Sequence, residues 1–213
     1  VTLPDLTVKT ISFVAAVVPG TDIVVNETTT NKGKVAAGPS VTRFYLSTDS
    51  KFDSGDLPSL GSRAIPALAP KQNNAGSTTL TIPLATAPGR YFLIGVADAD
   101  SGVPEAKENN AKARALNVTQ PDLIVQTLRV PSSAAAGASI NINDTTMNNA
   151  PVPAGGSTTT FYLSTDGIFD GSDVPLGSRG IPPVGAKGRS SGSTTVVIPL
   201  ATVPGKYFIL GLS

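Results

Sequence analysis

Apolar and polar residues alternate along most of this chain in short runs, and turn residues interrupt the runs at regular intervals. Leu6 and Val8 alternate with Thr7, and Ile11 and Phe13 then resume one residue out of phase. A two-residue period predicts a half-buried strand, and the break in phase predicts a bulge. Ile23 and Val25 mark a second strand, closed by the turn Asn31-Lys32-Gly33. Val41 to Ser47 reads as the third. Leu60 to Ile65 reads as a short edge strand stopped by Pro66, and Thr78 to Ile82 as another closed by Pro83. Tyr91 to Ala97 is almost continuously apolar, as expected of a central strand. Ala111 to Val118 is the last. Strands at this spacing predict a β-sandwich, and no sustained 3.6-residue period predicts helix.

The same pattern then starts again. Pro4-Asp5-Leu6 recurs as Pro121-Asp122-Leu123, and Phe44-Tyr45-Leu46-Ser47-Thr48-Asp49 as Phe161-Tyr162-Leu163-Ser164-Thr165-Asp166. Leu60-Gly61-Ser62-Arg63 returns as Leu176-Gly177-Ser178-Arg179, and Ile82-Pro83-Leu84-Ala85-Thr86 as Ile198-Pro199-Leu200-Ala201-Thr202. Pro88-Gly89-Arg90-Tyr91-Phe92 returns as Pro204-Gly205-Lys206-Tyr207-Phe208. Order and spacing hold, with one deletion near Ser59. Solenoid repeats run at roughly 20–50 residues; this repeat is far longer and has the size of an independent sandwich. The expectation is an all-β chain of two tandem immunoglobulin-like sandwiches, residues 1–118 and 119–213. Val118-Thr119-Gln120 is a short join and predicts a semi-rigid pair.

Ser213 stands where Ala97 stands in the first copy, so the second copy lacks a counterpart of the final strand within this chain. A sandwich without that strand has an open edge. Either the polypeptide continues or a neighbouring chain supplies the strand by β-strand addition. In the second case the contact is head-to-tail and builds a filament. Val1 opens the chain with no Met and no basic-then-apolar leader, which reads as a processed product or an excerpt.

Composition narrows the function. The chain has no Cys, His or Trp, which excludes a disulfide framework and any thiolate or imidazole metal site. Net charge is +1 and balanced in both halves, so no basic stripe tracks nucleic acid. No apolar run is long enough to span a membrane as a helix. No Gly-x-Ser-x-Gly, Ser-x-x-Lys or Walker-type sequence occurs, and an enzyme is not expected.

Several motifs in this order carry a resemblance. Pro-Asp-Leu at the start, Asn31-Lys32-Gly33, Phe-Tyr-Leu-Ser-x-Asp, Gly89 to Phe92, and the closing Pro104 to Asn110 segment resemble the CARDB module, the cell-adhesion-related domain found in bacteria. The second copy departs at Asn148-Asn149-Ala150, where Asn-x-Gly is lost, and it lacks the Pro104–Asn110 segment. The resemblance implies an immunoglobulin-like fold in secreted or surface proteins, usually in tandem arrays, and no catalytic activity.

Three features are candidate sites. Asp49, Asp53 and Asp56 in one loop, and Asp166, Asp170 and Asp173 in its repeat, offer oxygen ligands to Ca²⁺, although the spacing is not that of an EF-hand. The competing reading is that these carboxylates cap turns, with Phe52 and Phe169 pinning the loops to the core. Asp98, Asp100, Glu105, Glu108, Asn109 and Asn110 form a second polar cluster between the last two strands, read as a solvated turn or as a cation or adhesive tip. Glu27 falls on the inward phase of its strand, as does Asp144 in the second copy. A buried carboxylate needs a partner. Arg43 is available to Glu27, but its counterpart is Thr160, so the strand is expected to face solvent by that point. Asn-x-Ser/Thr occurs at Asn26, Asn117 and Asn143, which matters only in a glycosylating pathway.

The chain therefore reads as a structural or adhesive module of an extracellular or cell-surface stalk or fibre, with self-association or neighbouring immunoglobulin-like modules as partners. The alternative is a ligand-binding module for a surface protein, a glycan or Ca²⁺. Aromatic poverty, 5% with no Trp, weighs against a sugar-stacking face.

Overall fold

The computed structural model describes residues 2–56, 58–105 and 107–213. The chain divides into two compact units, 1–120 and 121–213. The first contains β1 (Leu6–Ser12), β2 (Ala16–Val17), β3 (Asp22–Asn31), β4 (Ser40–Ser47), β5 (Gly61–Ile65), β6 (Asn73–Thr81), β7 (Gly89–Val96) and β8 (Ala111–Val118). The second contains β9 (Leu123–Arg129), β10 (Ser139–Asn148), β11 (Ser157–Ser164), β12 (Val174–Ile181), β13 (Arg189–Val197) and β14 (Phe208–Leu212). Among the described residues the only helical element is a 3₁₀ turn at Ser54–Asp56.

Each unit is a sandwich of immunoglobulin-like type. In the first, a three-stranded sheet β1-β3-β6 faces a five-stranded sheet β2-β8-β7-β4-β5. In the second, β9-β10-β13 faces β12-β11-β14. The expected bulge in β1 is real: pairing with β3 shifts between Val8 and Thr10, which lets Leu6, Val8 and Ile11 all point inward. β5 lies at a sheet edge and β7 in its centre, as their sequences imply. β6 starts at Asn73, earlier than its apolar residues suggest, because the polar stretch Asn73–Ser77 is held by unbroken pairing with β3. β2 is too short to leave a periodic signal. It pairs in parallel with the end of β8, Ala16 opposite Asn117 and Val17 opposite Val118.

The core of the first unit packs Leu6, Ile23, Val25, Phe44, Leu80, Ile82, Leu93 and Leu116, all nearly inaccessible to water. Its counterpart in the second unit is smaller and centres on Ile142 and Phe161. The outer faces of the three-stranded sheets are tied by hydroxyl groups that donate to amide or carboxylate oxygens across neighbouring strands. Ser77 donates to Asn26 at 2.7 Å, Thr81 to Asp22 at 2.6 Å, and Thr195 to Asn141 at 2.7 Å. These pairs keep the surface wet without strong charge and add local order to the ladder. Asn26 and Asn143 lie exposed on these outer faces, and Asn117 lies exposed on β8.

Candidate functional site

The interior of each sandwich changes character along β3 and β10. The inward side chains of β3 run Ile23, Val25, Glu27, Thr29, Asn31, and those of β10 run Ile140, Ile142, Asp144, Thr146, Asn148. The first two are apolar and the last three are polar, and all three polar levels are bonded across to other elements. Glu27 does not reach solvent as its sequence context suggests: its side chain is 0% exposed. Its partner is not Arg43 but Arg63 on β5, in the opposite sheet, whose Nε donates to Glu27 Oε2 at 2.8 Å while Nη2 also contacts that oxygen. Arg63 further bonds Asn74 on β6 through its side-chain and backbone oxygens. Arg43 instead pairs with Asp100 at 2.6 Å on the exposed surface.

The second unit repeats the arrangement in a cleaner form. Arg179 grips Asp144 with both arms, Nε to Oδ1 at 2.7 Å and Nη2 to Oδ2 at 2.6 Å, and donates to Ser190. This two-pronged geometry is what a planar guanidinium offers a carboxylate. A glycine makes room for each arginine. Gly76 lies directly across from Glu27, and Gly192 from Asp144. A Cβ on Gly76 would meet Arg63 Nη1 at 2.9 Å, and one on Gly192 would meet Arg179 Cδ at 2.6 Å. One level along, the hydroxyls of Thr29 and Thr42 bond between sheets at 2.8 Å, as do those of Thr146 and Thr159.

The third level is the asparagine of the Asn-x-Gly turn. Asn31 donates to the carbonyls of Val35 at 2.8 Å, Leu68 at 3.1 Å and Ala69 at 3.4 Å, and accepts from Asp5 N and Gly33 N. It ties the start of β1 to two loops. Asn148 does the same with Val152, Val184, Gly185, Asp122 and Ala150. Losing Gly in the second copy costs nothing essential, because Ala150 supplies the same backbone N–H. The site that the sequence only half reveals is thus a buried polar seam joining the two sheets, present in both units.

The acidic loops show how turn chemistry uses carboxylates. Asp49 accepts from Lys51 N at 2.7 Å, Asp53 from Gly55 N at 2.7 Å, and Asp56 from Asp53 N at 3.0 Å. Asp166 accepts from Ile168 N at 2.8 Å, Asp170 from Ser172 N at 2.8 Å, and Asp173 from Asp170 N at 3.0 Å. The hydroxyl and N–H of Ser172 hold the Asp170 carboxyl below its ordinary pKa. Among the described residues no three acidic side chains converge as a metal cluster. An open cleft of about 530 Å³ lies beside the first loop, lined by Asp49, Asp53, Asp56, Ala87 and Tyr91. Phe52 and Phe169 do not enter the core. They lie against Tyr45 and Tyr162, with ring centroids 4.5 and 4.9 Å apart, and remain 39% and 49% exposed.

The second polar cluster is more than a solvated turn. Asp98, at φ 45°, accepts from Gly102 N and Val103 N and folds the β7–β8 connection back on itself. Glu105 then accepts from Leu6 N and from the Asn110 amide at 2.7 Å, which clamps this connection to the start of β1. Glu108 also accepts from Asn110. Burial raises the pKa of Glu105 above its ordinary 4.5, against the two hydrogen bonds, with Asp98 and Glu108 adding repulsion. A carboxyl raised on folding favours the folded state most below its ordinary pKa, and that advantage is lost as pH rises through the folded value. Glu105→Gln should therefore flatten the pH dependence of stability above pH 4.5, while giving up one of the two hydrogen bonds that the carboxylate accepts. Urea midpoints across pH check this, and an unchanged slope would contradict it.

The family model named CARDB matches residues 3–115. The chain belongs to the CARDB family. CARDB modules are non-catalytic, adhesion-type, immunoglobulin-like domains, and the match spans β1 to β8 of the first unit almost entirely. No curated protein matches the chain. Among solved structures, the CARDB domain of a Pyrococcus furiosus protein, crystallised in complex with di-metal ions, is 20% identical, with 55% of this chain and 94% of that one covered and a TM-score of 0.42. The solution structure of the same domain is 22% identical, with 56% and 96% covered and a TM-score of 0.39. The sporulation control protein of Bacillus subtilis is 12% identical, with 69% and 67% covered and a TM-score of 0.37.

Proposed function

We propose that this CARDB chain is a structural and adhesive element of an extracellular stalk, surface protein or fibre, with its two units acting as successive modules of one kind. The observation that supports this most is the path of the chain through the first unit. Glu105, in the β7–β8 connection, bonds the first residue of β1, so the chain enters at that end. It leaves at the other end, where Val118 pairs with Gly89. Between them β2 and β8 run parallel, joined by Asn117 N to Ala15 O at 2.8 Å and Thr119 N to Val17 O at 2.9 Å. Tension applied through the two ends of such a module pulls parallel strands past one another. Their hydrogen bonds then share the strain instead of opening one by one. A sandwich stitched internally by a polar seam is suited to transmit force between neighbours.

The finer reading is head-to-tail assembly by strand complementation, in which a neighbouring module completes the second unit. Sedimentation velocity of the 213-residue chain tests it. Species growing beyond a dimer with concentration are expected, and a monomer at all concentrations would overturn this assembly.

A second reading is favoured by the cleft beside Asp49, Asp53 and Asp56, whose loop recurs in sequence at Asp166, Asp170 and Asp173: binding of Ca²⁺, or of a glycan or surface protein through Ca²⁺. Calorimetry decides it. Saturable heat at millimolar Ca²⁺, lost in Asp53→Asn, would establish it; absence of heat would leave these carboxylates as turn caps.

A further inference from the structure

An open sheet edge is a row of unpaired N–H and C=O groups, and proteins usually blunt it with bulges, charges, Pro or short strands. The first unit does so at β1, β2 and β5. Along β1, which carries a bulge, Glu105 accepts from Leu6 N, Lys112 donates to Lys9 O at 2.7 Å and Arg114 to Ile11 O at 3.3 Å. β2 has two residues, and β5 has five and stops before Pro66. β6 is the exception. It has nine residues with no charge, no Pro and an unbroken register with β3, and among the described residues no strand lies beyond it. Main-chain bonds at the two ends show which residues face β3: Ile82 N donates to Thr21 O at 3.0 Å, and Asn31 N to Gln72 O at 3.1 Å. Alternation along the ladder gives Asn74, Gly76, Thr78 and Leu80 to β3. It turns the N–H and C=O groups of Asn73, Ala75, Ser77, Thr79 and Thr81 to the open side, and all of these residues are exposed. The same edge recurs in the second unit. Gly76-Ser77-Thr78-Thr79 returns as Gly192-Ser193-Thr194-Thr195 in β13, which also has nine residues in unbroken register and lies at a sheet edge.

We propose that β6 pairs antiparallel with β6 of a second copy of this chain, through the open main-chain groups of residues 73–81. The occupant follows from the chemistry of the edge. Strand addition selects a foreign peptide through pockets for alternate side chains. Here the inward position at Gly76 is taken by Arg63, whose Nη1 lies 2.9 Å from where a Cβ would stand, and Leu80 is 1% exposed. Recognition is left to the main chain and to small neutral side chains. A second copy supplies both in matching order. Full overlap of the two strands about a twofold axis sets Ser77 opposite Ser77, Ala75 opposite Thr79 and Asn73 opposite Thr81. No like charges and no bulky groups meet across that pairing. A self-complementary contact of this kind closes on itself and yields a dimer with one continuous sheet. It is separate from head-to-tail assembly, which engages the second unit.

Amide exchange of the 213-residue chain at low and high protein concentration tests the contact. The amides of Ala75, Ser77, Thr79 and Thr81 should exchange at least tenfold more slowly at high concentration. Those of Gly76, Thr78 and Leu80, already bonded to β3, should keep their rates. Ser77→Lys and Ser77→Glu alter an exposed position and should each abolish the slowing with an unchanged circular dichroism spectrum, because like charges then meet on the axis. An equimolar mixture of the two variants should restore it. Fast exchange at every concentration, slowing that persists in either variant alone, or a mixture that stays unprotected would overturn the contact. Species beyond a dimer in sedimentation, with these amides unprotected, would overturn it and uphold head-to-tail assembly. Protected amides in a chain that stops at a dimer would do the reverse.

Discussion

Arg63→Ala is expected to destabilise the first unit by about 3–5 kcal/mol, the usual cost of leaving one member of a buried ion pair without its partner. Glu27 has no route to solvent, with a side chain 0% exposed, and its other contact is the neutral hydroxyl of Thr29. Asn74 loses its donor as well. Arg179→Ala should have the same effect on the second unit, where Asp144 loses two donors at once. Arg63→Lys keeps the charge but not the planar fork, and falls between wild type and Ala. A double variant, Glu27→Leu with Arg63→Met, should cost less than Arg63→Ala alone, because no charge is left buried. Urea denaturation read by amide exchange in β3 and β10 separates the two units. A loss under about 1 kcal/mol for Arg63→Ala, the value typical of a surface pair, would show that the seam is not dry.

The second large effect is expected at the asparagine level. Asn31→Asp preserves size and shape but turns the donor that faces Val35, Leu68 and Ala69 into an acceptor facing three carbonyl oxygens. Each buried group left without a partner costs about 1–3 kcal/mol, so a loss of about 3 kcal/mol or more is expected at neutral pH, although Asp5 N and Gly33 N keep their acceptor. Asn148→Asp should act likewise in the second unit. Asn149→Asp next to it is exposed and should change stability by no more than about 0.5 kcal/mol. If Asn149→Asp cost as much as Asn148→Asp, the pinning role assigned to the buried amide would be wrong.

These two levels mark where the sequence is readable and where it is not. Strands were legible wherever a two-residue period ran against a turn, as at Leu6–Ser12 with its bulge and at Gly89–Val96 in the sheet centre. The start of β6 was hidden because Asn73, Asn74 and Gly76 look like turn residues. Asn74 is there to receive Arg63, and Gly76 to let it pass. The phase of β3 pointed Glu27 inward, but its partner lies on another sheet, and sequence separation alone favours the nearer Arg43. One signal was available: Arg63 and Arg179 recur within Leu-Gly-Ser-Arg, a carboxylate recurs at Glu27 and Asp144, and Arg43 gives way to Thr160. A pair that must be kept together leaves both members in both copies. The loop carboxylates were ambiguous for a different reason. Turn caps and cation ligands use the same residue types, and the bonds from the Lys51, Gly55 and Ile168 N–H groups occupy one oxygen of each carboxylate and leave the other open to either role.

As a module that carries force, the first unit should resist tension along the path of its chain. The chain contains no Cys, so pairs of introduced cysteines define unique attachment points for single-molecule pulling. Handles at residues 2 and 120 draw β2 and β8 past each other in shear. Handles at residues 88 and 120 peel β8 from β7 starting at the Gly89–Val118 pair. The shear direction is expected to unfold the unit at a force several times that of the peeling direction. Equal forces in the two directions would contradict it.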